Sequence, residues 1–277
     1  MITSSSNQRI KQVIQWQSKA RERRKDKVFV VEGAKMYLEA PAELICEVYV
    51  SCGFLEKHKI VCDGKLCNKT TGDMAEELAG KLGETGYEEV SDEVFAKMSD
   101  TQTPQGILAV VKQPDYELNQ LLTMDNPLFI VLENLQDPGN LGTILRTGEG
   151  AGITGVIMSD TTVDIYNPKV IRSTMGSIYR VPFVYEKDLV AVLTRLHQAG
   201  VKTYAAHLKG ENYYDSFSFE EPTAFLIGNE GNGLTEELSE AASSYLKIPM
   251  EGKVESLNAG VAAALLMYEA HRQRKHS

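Results

Sequence analysis

The second half of the chain alternates short, continuously apolar segments with helical ones, and this alternation constrains the fold more than any other feature. Strands are predicted at 128–132, 155–158, 181–184, 203–206, 224–227 and 245–248. Helical patterns fill most of the gaps, and a long final helix is predicted from about residue 256 to 272. A strand that is apolar at every position needs cover on both faces. Helices between such strands supply that cover, so the pattern predicts an α/β fold with a parallel sheet.

The first half reads as a smaller α/β unit. Ile10, Val13, Ile14 and Ala20 recur at helical spacing, which predicts one helix over 5–24 with the basic residues mostly on its other faces. Strands are predicted at 28–31, 45–50, 59–62 and 106–111, with helices at 34–39, 73–82 and 92–98. The boundaries that follow are a first domain over 1–112, a polar, Pro-containing linker over 113–126 and a second domain over 127–277. Two such domains in 277 residues agree with a prior of about 150 residues per domain. Each is large enough to bury a core without disulfide or metal staples.

Several classes of function are disfavoured. No apolar run approaches the roughly 20 residues of a membrane span, and the polar N-terminus has no signal-peptide core, so a cytoplasmic protein with no membrane partner is expected. Cys46, Cys52, Cys62 and Cys67 lack the paired spacing of zinc ligands and are expected to be buried, reduced thiols. The five histidines are scattered, and no metal is expected. Net charge is −9, yet residues 1–28 carry eight basic side chains against Glu22 and Asp26, a local +6 that leaves −15 elsewhere. A basic arm on an acidic body is a form that phosphate recognition takes; a solvated helix face is the alternative.

Three clusters lie at C-terminal ends of predicted strands, where open α/β sheets bind ligands. The first runs from Leu132 to Thr147. Asp137-Pro138-Gly139 signals a turn and Asn140 is expected to cap the next helix. Gly142 and Arg146 are four apart, so the arginine leans over a position without a side chain; it could equally be a surface residue in an ion pair. The second cluster, Gly228-Asn-Glu-Gly-Asn-Gly233, has three glycines in six residues, which permits close backbone approach to a ligand or simply a tight turn. Glu230 in its midst argues against a phosphate. The third runs from Ile248 to Gly260, with Ser256 expected as the cap of the last helix, whose small residues permit tight packing or a dimer.

Gly150, Gly152 and Gly155 spell G-x-G-x-x-G, but with a helix before and a strand after, the reverse of a dinucleotide site. Neither a P-loop nor a G-x-S-x-G elbow is present.

Asn140-Leu-Gly-x-x-x-Arg146-Thr, Gly228-Asn-Glu-Gly-x-Gly233, and Pro249-Met250 with Ser256-Leu-Asn258 resemble the three ordered motifs of the SpoU/TrmH family, RNA ribose 2′-O-methyltransferases of the SPOUT superfamily. The stretch from Val163 to Ser173 resembles the family's segment between its first two motifs. Ile2-Thr-Ser-x-x-Asn7, Phe29-Val-Val-Glu-Gly33 and Thr103-Pro-Gln-Gly106 are similar to the substrate-binding domain of its ribosomal-RNA branch. The resemblance implies an N-terminal RNA-binding domain and a C-terminal parallel-sheet domain with a deep trefoil knot. It further implies S-adenosylmethionine as cofactor and a homodimer through the C-terminal domain. Ribosomal RNA, 23S above all, is the implied substrate. Transfer RNA as acceptor, or a lapsed enzyme serving as an RNA-binding or ribosome-assembly factor, are the alternatives.

By the same resemblance, Ile227, Gly228, Asn229, Glu230, Gly231, Ile248, Met250, Ser256, Leu257 and Asn258 would hold the cofactor, and Arg146 would activate the ribose hydroxyl. An arginine side chain is a poor base near neutral pH, which makes stabilising the forming alkoxide the better role. Asn140, Glu230, Ser256 and Asn258 would orient it and the RNA. Arg9, Lys11, Lys19, Arg21, Arg23, Arg24, Lys169 and Arg172 become the expected RNA contacts, since phosphate neutralisation dominates such affinity.

Overall fold

The computed structural model describes residues 1–61, 65–66 and 73–275, and its chain divides into two compact units. In chain order the first half holds α1 (Gln8–Ser18), α2 (Ala20–Asp26), β1 (Val28–Glu32), α3 (Ala34–Glu39), β2 (Ile45–Ser51) and α4 (Cys52–His58). These are followed by β3 (Ile60–Val61), β4 (Lys65–Leu66), α5 (Asp73–Thr85), β5 (Glu88–Val90), α6 (Asp92–Met98) and β6 (Ile107–Lys112). The second half holds α7 (Leu118–Leu121), β7 (Leu128–Leu132), α8 (Pro138–Ala151), β8 (Gly155–Ser159), α9 (Pro168–Thr174) and β9 (Phe183–Glu186). It ends with α10 (Leu189–Gln198), β10 (Lys202–Ala206), β11 (Thr223–Ile227), α11 (Glu236–Glu240), β12 (Ser244–Leu246) and α12 (Ala259–Lys275). Among the described residues no helix is long and apolar enough to cross a membrane.

The first unit comprises residues 1–114 and 166–179. Its sheet has the order β1-β6-β2-β5, antiparallel except for the β2–β5 pair. Ile10 and Val13 of α1 and Phe95 and Met98 of α6 bury against Tyr49, Leu108 and Val110 of the sheet. Two sequence motifs meet here. The Glu32 carboxylate, buried, accepts the Gln105 backbone N–H at 2.8 Å and the Ser99 hydroxyl at 2.9 Å. Gly33, at φ +103°, sits where any side chain would overlap Gln105.

Three expectations are corrected in this unit. The single helix over 5–24 is two, because Lys19 is extended (φ −125°, ψ 111°) and its backbone N–H closes α1 on Gln15. Cys46 is exposed rather than buried, and Cys52 is half-buried; Cys62 and Cys67 lie outside the described residues. Residues 166–179 belong to this unit although they fall within the predicted second domain. Tyr166 stacks on Phe29 with ring centroids 4.7 Å apart, and the Tyr179 hydroxyl donates to the Met36 carbonyl at 2.9 Å.

The second unit, residues 115–165 and 180–277, holds a six-stranded sheet of order β12-β10-β11-β7-β8-β9 in which every pair is parallel. Every residue of β7, β8 and β11 is buried, as the apolar runs require. Phe129, Val131, Ile157 and Leu226 face α7, α10 and α11 through Leu121, Leu193, Leu196 and Leu238. The alternate residues Ile130, Leu132, Met158 and Phe225 are buried too, and α12 packs on α8 and β11. Both faces are therefore covered, the condition that forces a parallel sheet to be apolar throughout. The stretch read as a bare linker contains α7, whose Leu118 and Leu121 join this core. Gly152 closes α8 in the left-handed conformation (φ 74°) and Gly155 opens β8, so the glycine triplet runs from helix to strand.

Candidate active site

Three adjacent strands end side by side around one cleft. β10 ends at Ala206, β11 at Ile227 and β12 at Leu246, and residues following each, with Ile248, Met250 and 255–258, line a cavity of about 380 Å³. All ten residues expected at the cofactor line it: Ile227, Gly228, Asn229, Glu230, Gly231, Ile248, Met250, Ser256, Leu257 and Asn258. Ala206, His207, Leu208, Lys247 and Glu255 line it as well, and sequence reasoning did not single them out. The available signal was position alone, since the loop after β10 also follows a parallel strand's C-terminal end but carries no glycine cluster.

The second cluster owes its shape to one backbone crossing. Asn229 and Gly233 exchange backbone hydrogen bonds (3.0 and 2.9 Å), folding the loop back so that Gly228 lies against the Gly233–Leu234 peptide. A side chain at 228 would overlap that peptide, and Gly233 itself has φ +70°. The glycines are thus required by close backbone packing within the loop. The Asn229 side chain fixes the turn from inside, accepting from Gly231 N and Asn232 N and donating to the Asn134 carbonyl at 2.8 Å.

A chain of side-chain hydrogen bonds joins the three clusters. Asn140 Nδ2 donates to Glu230 Oε1 at 3.0 Å, and Asn258 Nδ2 donates to Asn140 Oδ1 at 2.8 Å. Glu230 also accepts the backbone N–H groups of Gln136 (3.1 Å) and Asp137 (2.9 Å). Burial pushes the Glu230 carboxyl up. The hydrogen bonds from Asn140, Asp137 and Gln136 outweigh it and leave the group below the usual carboxylate range. An acid inside a glycine loop is explained on this geometry: it clamps the loop before α8.

Two capping assignments change. Asp137, not Asn140, caps α8, accepting the Asn140 N–H at 2.8 Å, with Pro138 in the first turn. Asn140 is thereby placed inside the helix with its side chain free to bridge Glu230 and Asn258. Asn258, not Ser256, caps α12, its Oδ1 accepting the N–H groups of Gly260 (3.0 Å) and Val261 (3.2 Å), while Ser256 is exposed.

Arg146 lies on the exposed side of α8, and its side chain makes no hydrogen bond or ion pair among the described residues. It does not line the cleft, and neither does Asn140. Ile144, Leu145 and Gly148 around it on α8 are buried.

The basic residues divide. Arg23 is corrected: it is 4% exposed, and its Nη1 donates to the Trp16 (2.6 Å) and Gln17 (3.0 Å) carbonyls, so it staples α2 to the end of α1 and cannot face a phosphate. Arg9 pairs with Glu88 at 2.8 Å and Arg172 with Asp100 at 2.9 Å, each half-exposed. Lys11, Lys19, Arg21, Arg24 and Lys169 are exposed, with no ion pair among the described residues.

Comparison with known proteins finds matches for both halves of the chain. Residues 127–268 match the SpoU rRNA Methylase family, and residues 7–109 match the MRM3-like substrate binding domain. The chain is 32% identical, over 96% of its length and 97% of the relative's, to a 23S rRNA (guanosine(2553)-2'-O)-methyltransferase of Bacillus subtilis. An AdoMet-bound rRNA methyltransferase from Sinorhizobium meliloti is similar in structure, with a TM-score of 0.80, 26% identity and coverage of 98% of this chain and 97% of that one. So is the SpoU methyltransferase AviRb from Streptomyces viridochromogenes in complex with AdoMet, at TM-score 0.80 and 25% identity, covering 97% of this chain and 98% of that one. The chain, with its parallel sheet, belongs to the SpoU rRNA methylase family.

Proposed function

We propose that this protein is an S-adenosylmethionine-dependent methyltransferase acting on a ribose 2′-hydroxyl of ribosomal RNA, with 23S RNA the favoured acceptor. The observation that carries the reading is the Glu230–Asn140–Asn258 chain, which ties three distant motifs to the rim of a single cleft.

The cleft fits the cofactor in size and chemistry. Its volume lies within the range of about 300–1,000 Å³ for small-molecule sites, and its wall combines apolar side chains and loop backbone with polar groups such as His207, Asn229 and Glu230. Ile227, Ile248 and Leu257 offer an apolar slot for adenine beside the backbone groups of 228–231, with Met250 packed nearby. When bound, S-adenosylmethionine supplies an electrophilic methyl group on a sulfonium. Arg146, held rigidly on α8 and unpaired, places its guanidinium where a ribose oxygen loses its proton and stabilises the alkoxide. Asn140, Glu230 and Asn258 fix α8 against the cleft so that this placement is kept; Ser256 is exposed at the rim to meet RNA.

The rest of the assembly follows. An exposed apolar stripe on α12, Val261 (47%), Leu265 (37%) and Tyr268 (49%), borders a groove lined by Thr143, Gly260 and Ala264. A second copy covers this stripe, forming the homodimer, and brings substrate-facing groups to Arg146. The C-terminal domain over 127–277 carries a deep trefoil knot; the insertion of β10 between β12 and β11 supports that threading. The N-terminal unit, residues 1–114 with 166–179, binds RNA in the cytoplasm through Lys11, Lys19, Arg21 and Arg24, together with Arg9, Lys169 and Arg172.

Incubation with methyl-labelled S-adenosylmethionine and separate pools of unmodified ribosomal and transfer RNA tests the reading. Label in alkali-resistant dinucleotides of the ribosomal pool is the expected result. Label in the transfer-RNA pool moves the acceptor, and label released as mononucleotides means base methylation. A protein that binds RNA but no cofactor is a lapsed enzyme.

A further inference from the structure

His207 lines the cofactor cleft from the loop after β10, the strand that lies between β11 and β12 in the sheet. Its backbone is pinned, with the His207 N–H donating to the Leu246 carbonyl at 3.0 Å. Its ring is fixed as well. The Lys209 backbone N–H donates to Nδ1 at 3.1 Å, and the ring lies 5.4 Å from that of Tyr245 on the neighbouring strand.

A backbone N–H can only donate, so Nδ1 must carry a lone pair and the proton sits on Nε2. Protonating the imidazole would turn Nδ1 into a donor facing a donor and break the bond to Lys209. Burial and the nearby Lys209 charge act in the same direction, holding the imidazole below its usual range. Nε2 has no protein partner among the described residues.

We propose that His207 is a cofactor-contact residue that presents a neutral Nε2–H donor to the cleft, and that its neutrality sets the preference for the cationic methyl donor over the demethylated product. The proposal rests on the S-adenosylmethionine reading above. The methyl donor carries a sulfonium and an ammonium against one carboxylate, a net +1 near neutral pH; the thioether product is a neutral zwitterion. A charged imidazolium in the cleft would therefore repel the donor selectively. The other charges around the ring are Lys209, ion-paired to Glu236 of α11, with Lys247, Glu230 and Glu255 on the cleft wall. The carboxylates favour a cation. Against the effect of burial, hydrogen bonds hold the Glu230 carboxyl below the usual carboxylate range, and an imidazole is the side chain whose charge ordinarily changes between about pH 5 and 8, so His207 is the pH-responsive group of this set.

Calorimetric titration of the full chain with S-adenosylmethionine and with S-adenosylhomocysteine at pH 5.0 and 7.0 tests this. The ratio of Kd for the donor to Kd for the product should rise roughly tenfold at the lower pH, the effect of one unit charge several ångströms from another at intermediate dielectric. His207→Asn keeps an acceptor for the Lys209 N–H but does not titrate, and its ratio should be flat with pH. A wild-type ratio that does not change with pH, or an identical pH trend in the variant, overturns the role of His207. No binding of either ligand at either pH overturns the cofactor reading itself, and the proposal with it.

Discussion

The Asn258 side-chain amide donates to Oδ1 of Asn140 at 2.8 Å, joining residues 118 positions apart, and Asn140 passes the connection on through its own amide to Glu230. Asn140 is 7% exposed, so neither of its polar atoms has water to fall back on. One side chain thereby couples the start of α8, the glycine loop and the start of α12. Asn140→Ala should cost about 2 kcal/mol, because it leaves Glu230 and Asn258 each short of a partner. In a double-mutant cycle with Asn258→Ala, followed by urea denaturation, the coupling should be about 1 kcal/mol. Strict additivity would mean that the two asparagines act independently.

Arg146→Lys should lower single-turnover methyl transfer by about 10²-fold, the usual loss when one preorganised donor to a developing oxyanion is removed. Cofactor affinity should stay within twofold, roughly 0.4 kcal/mol, since Arg146 does not line the cleft. Near-normal turnover in the lysine variant would leave no specific role for the guanidinium.

Gly228→Ala places a methyl group against the Gly233–Leu234 peptide, which is backbone and cannot swing away. The loop must open, at a cost of about 3 kcal/mol, the upper part of the overpacking range. Thermal melting should show this loss, and cofactor binding measured by calorimetry should fall with it. Gly231→Ala, whose nearest neighbour is the Asn229 side chain at 3.5 Å, is the tolerated control.

The two halves of the basic arm should separate by experiment. Arg23→Ala should destabilise the first unit by about 2 kcal/mol through two lost hydrogen bonds to backbone carbonyls. Arg21→Ala with Arg24→Ala should leave stability unchanged. RNA affinity should fall, and the slope of log K against log salt should shrink by about 1 per residue. Salt-titrated filter binding reads both.

Glu230 gives an acid-limb prediction. Its folded carboxyl titrates below the ordinary range, so the unfolded state binds protons first as pH falls. The stabilisation from its three hydrogen bonds is fully present above the unfolded carboxylate pKa and is lost as pH drops through the folded one. Wild type should therefore exceed Glu230→Gln in stability by a constant margin between pH 6 and 8, and the margin should close below about pH 4. A margin independent of pH would assign the effect to packing rather than charge.

Local patterns carried much of this protein. The uninterrupted apolar runs of β7, β8 and β11 marked buried parallel strands, and the reversed helix–strand order around Gly152 excluded a dinucleotide site. The motif residues of the cleft were legible because each cluster sits on one loop, where neighbours in sequence are neighbours in space.

What local pattern could not decide was which of two nearby groups satisfies a third. Asp137 and Asn140 are both good caps, and so are Ser256 and Asn258; only the placement of each backbone N–H chooses between them. Arg23 looks like its neighbours Arg21 and Arg24 in sequence, and is buried because the break at Lys19 turns it back on the carbonyls of α1. Phe29 gives no hint that it will hold Tyr166, nor does the loop after β10 reveal His207 at the cleft. Periodicity reports how much of a residue is buried, and so the amino-acid sequence by itself determined the layers of the fold. Sheet order and side-chain pairing join groups tens to more than a hundred positions apart, and those the tertiary structure alone decided.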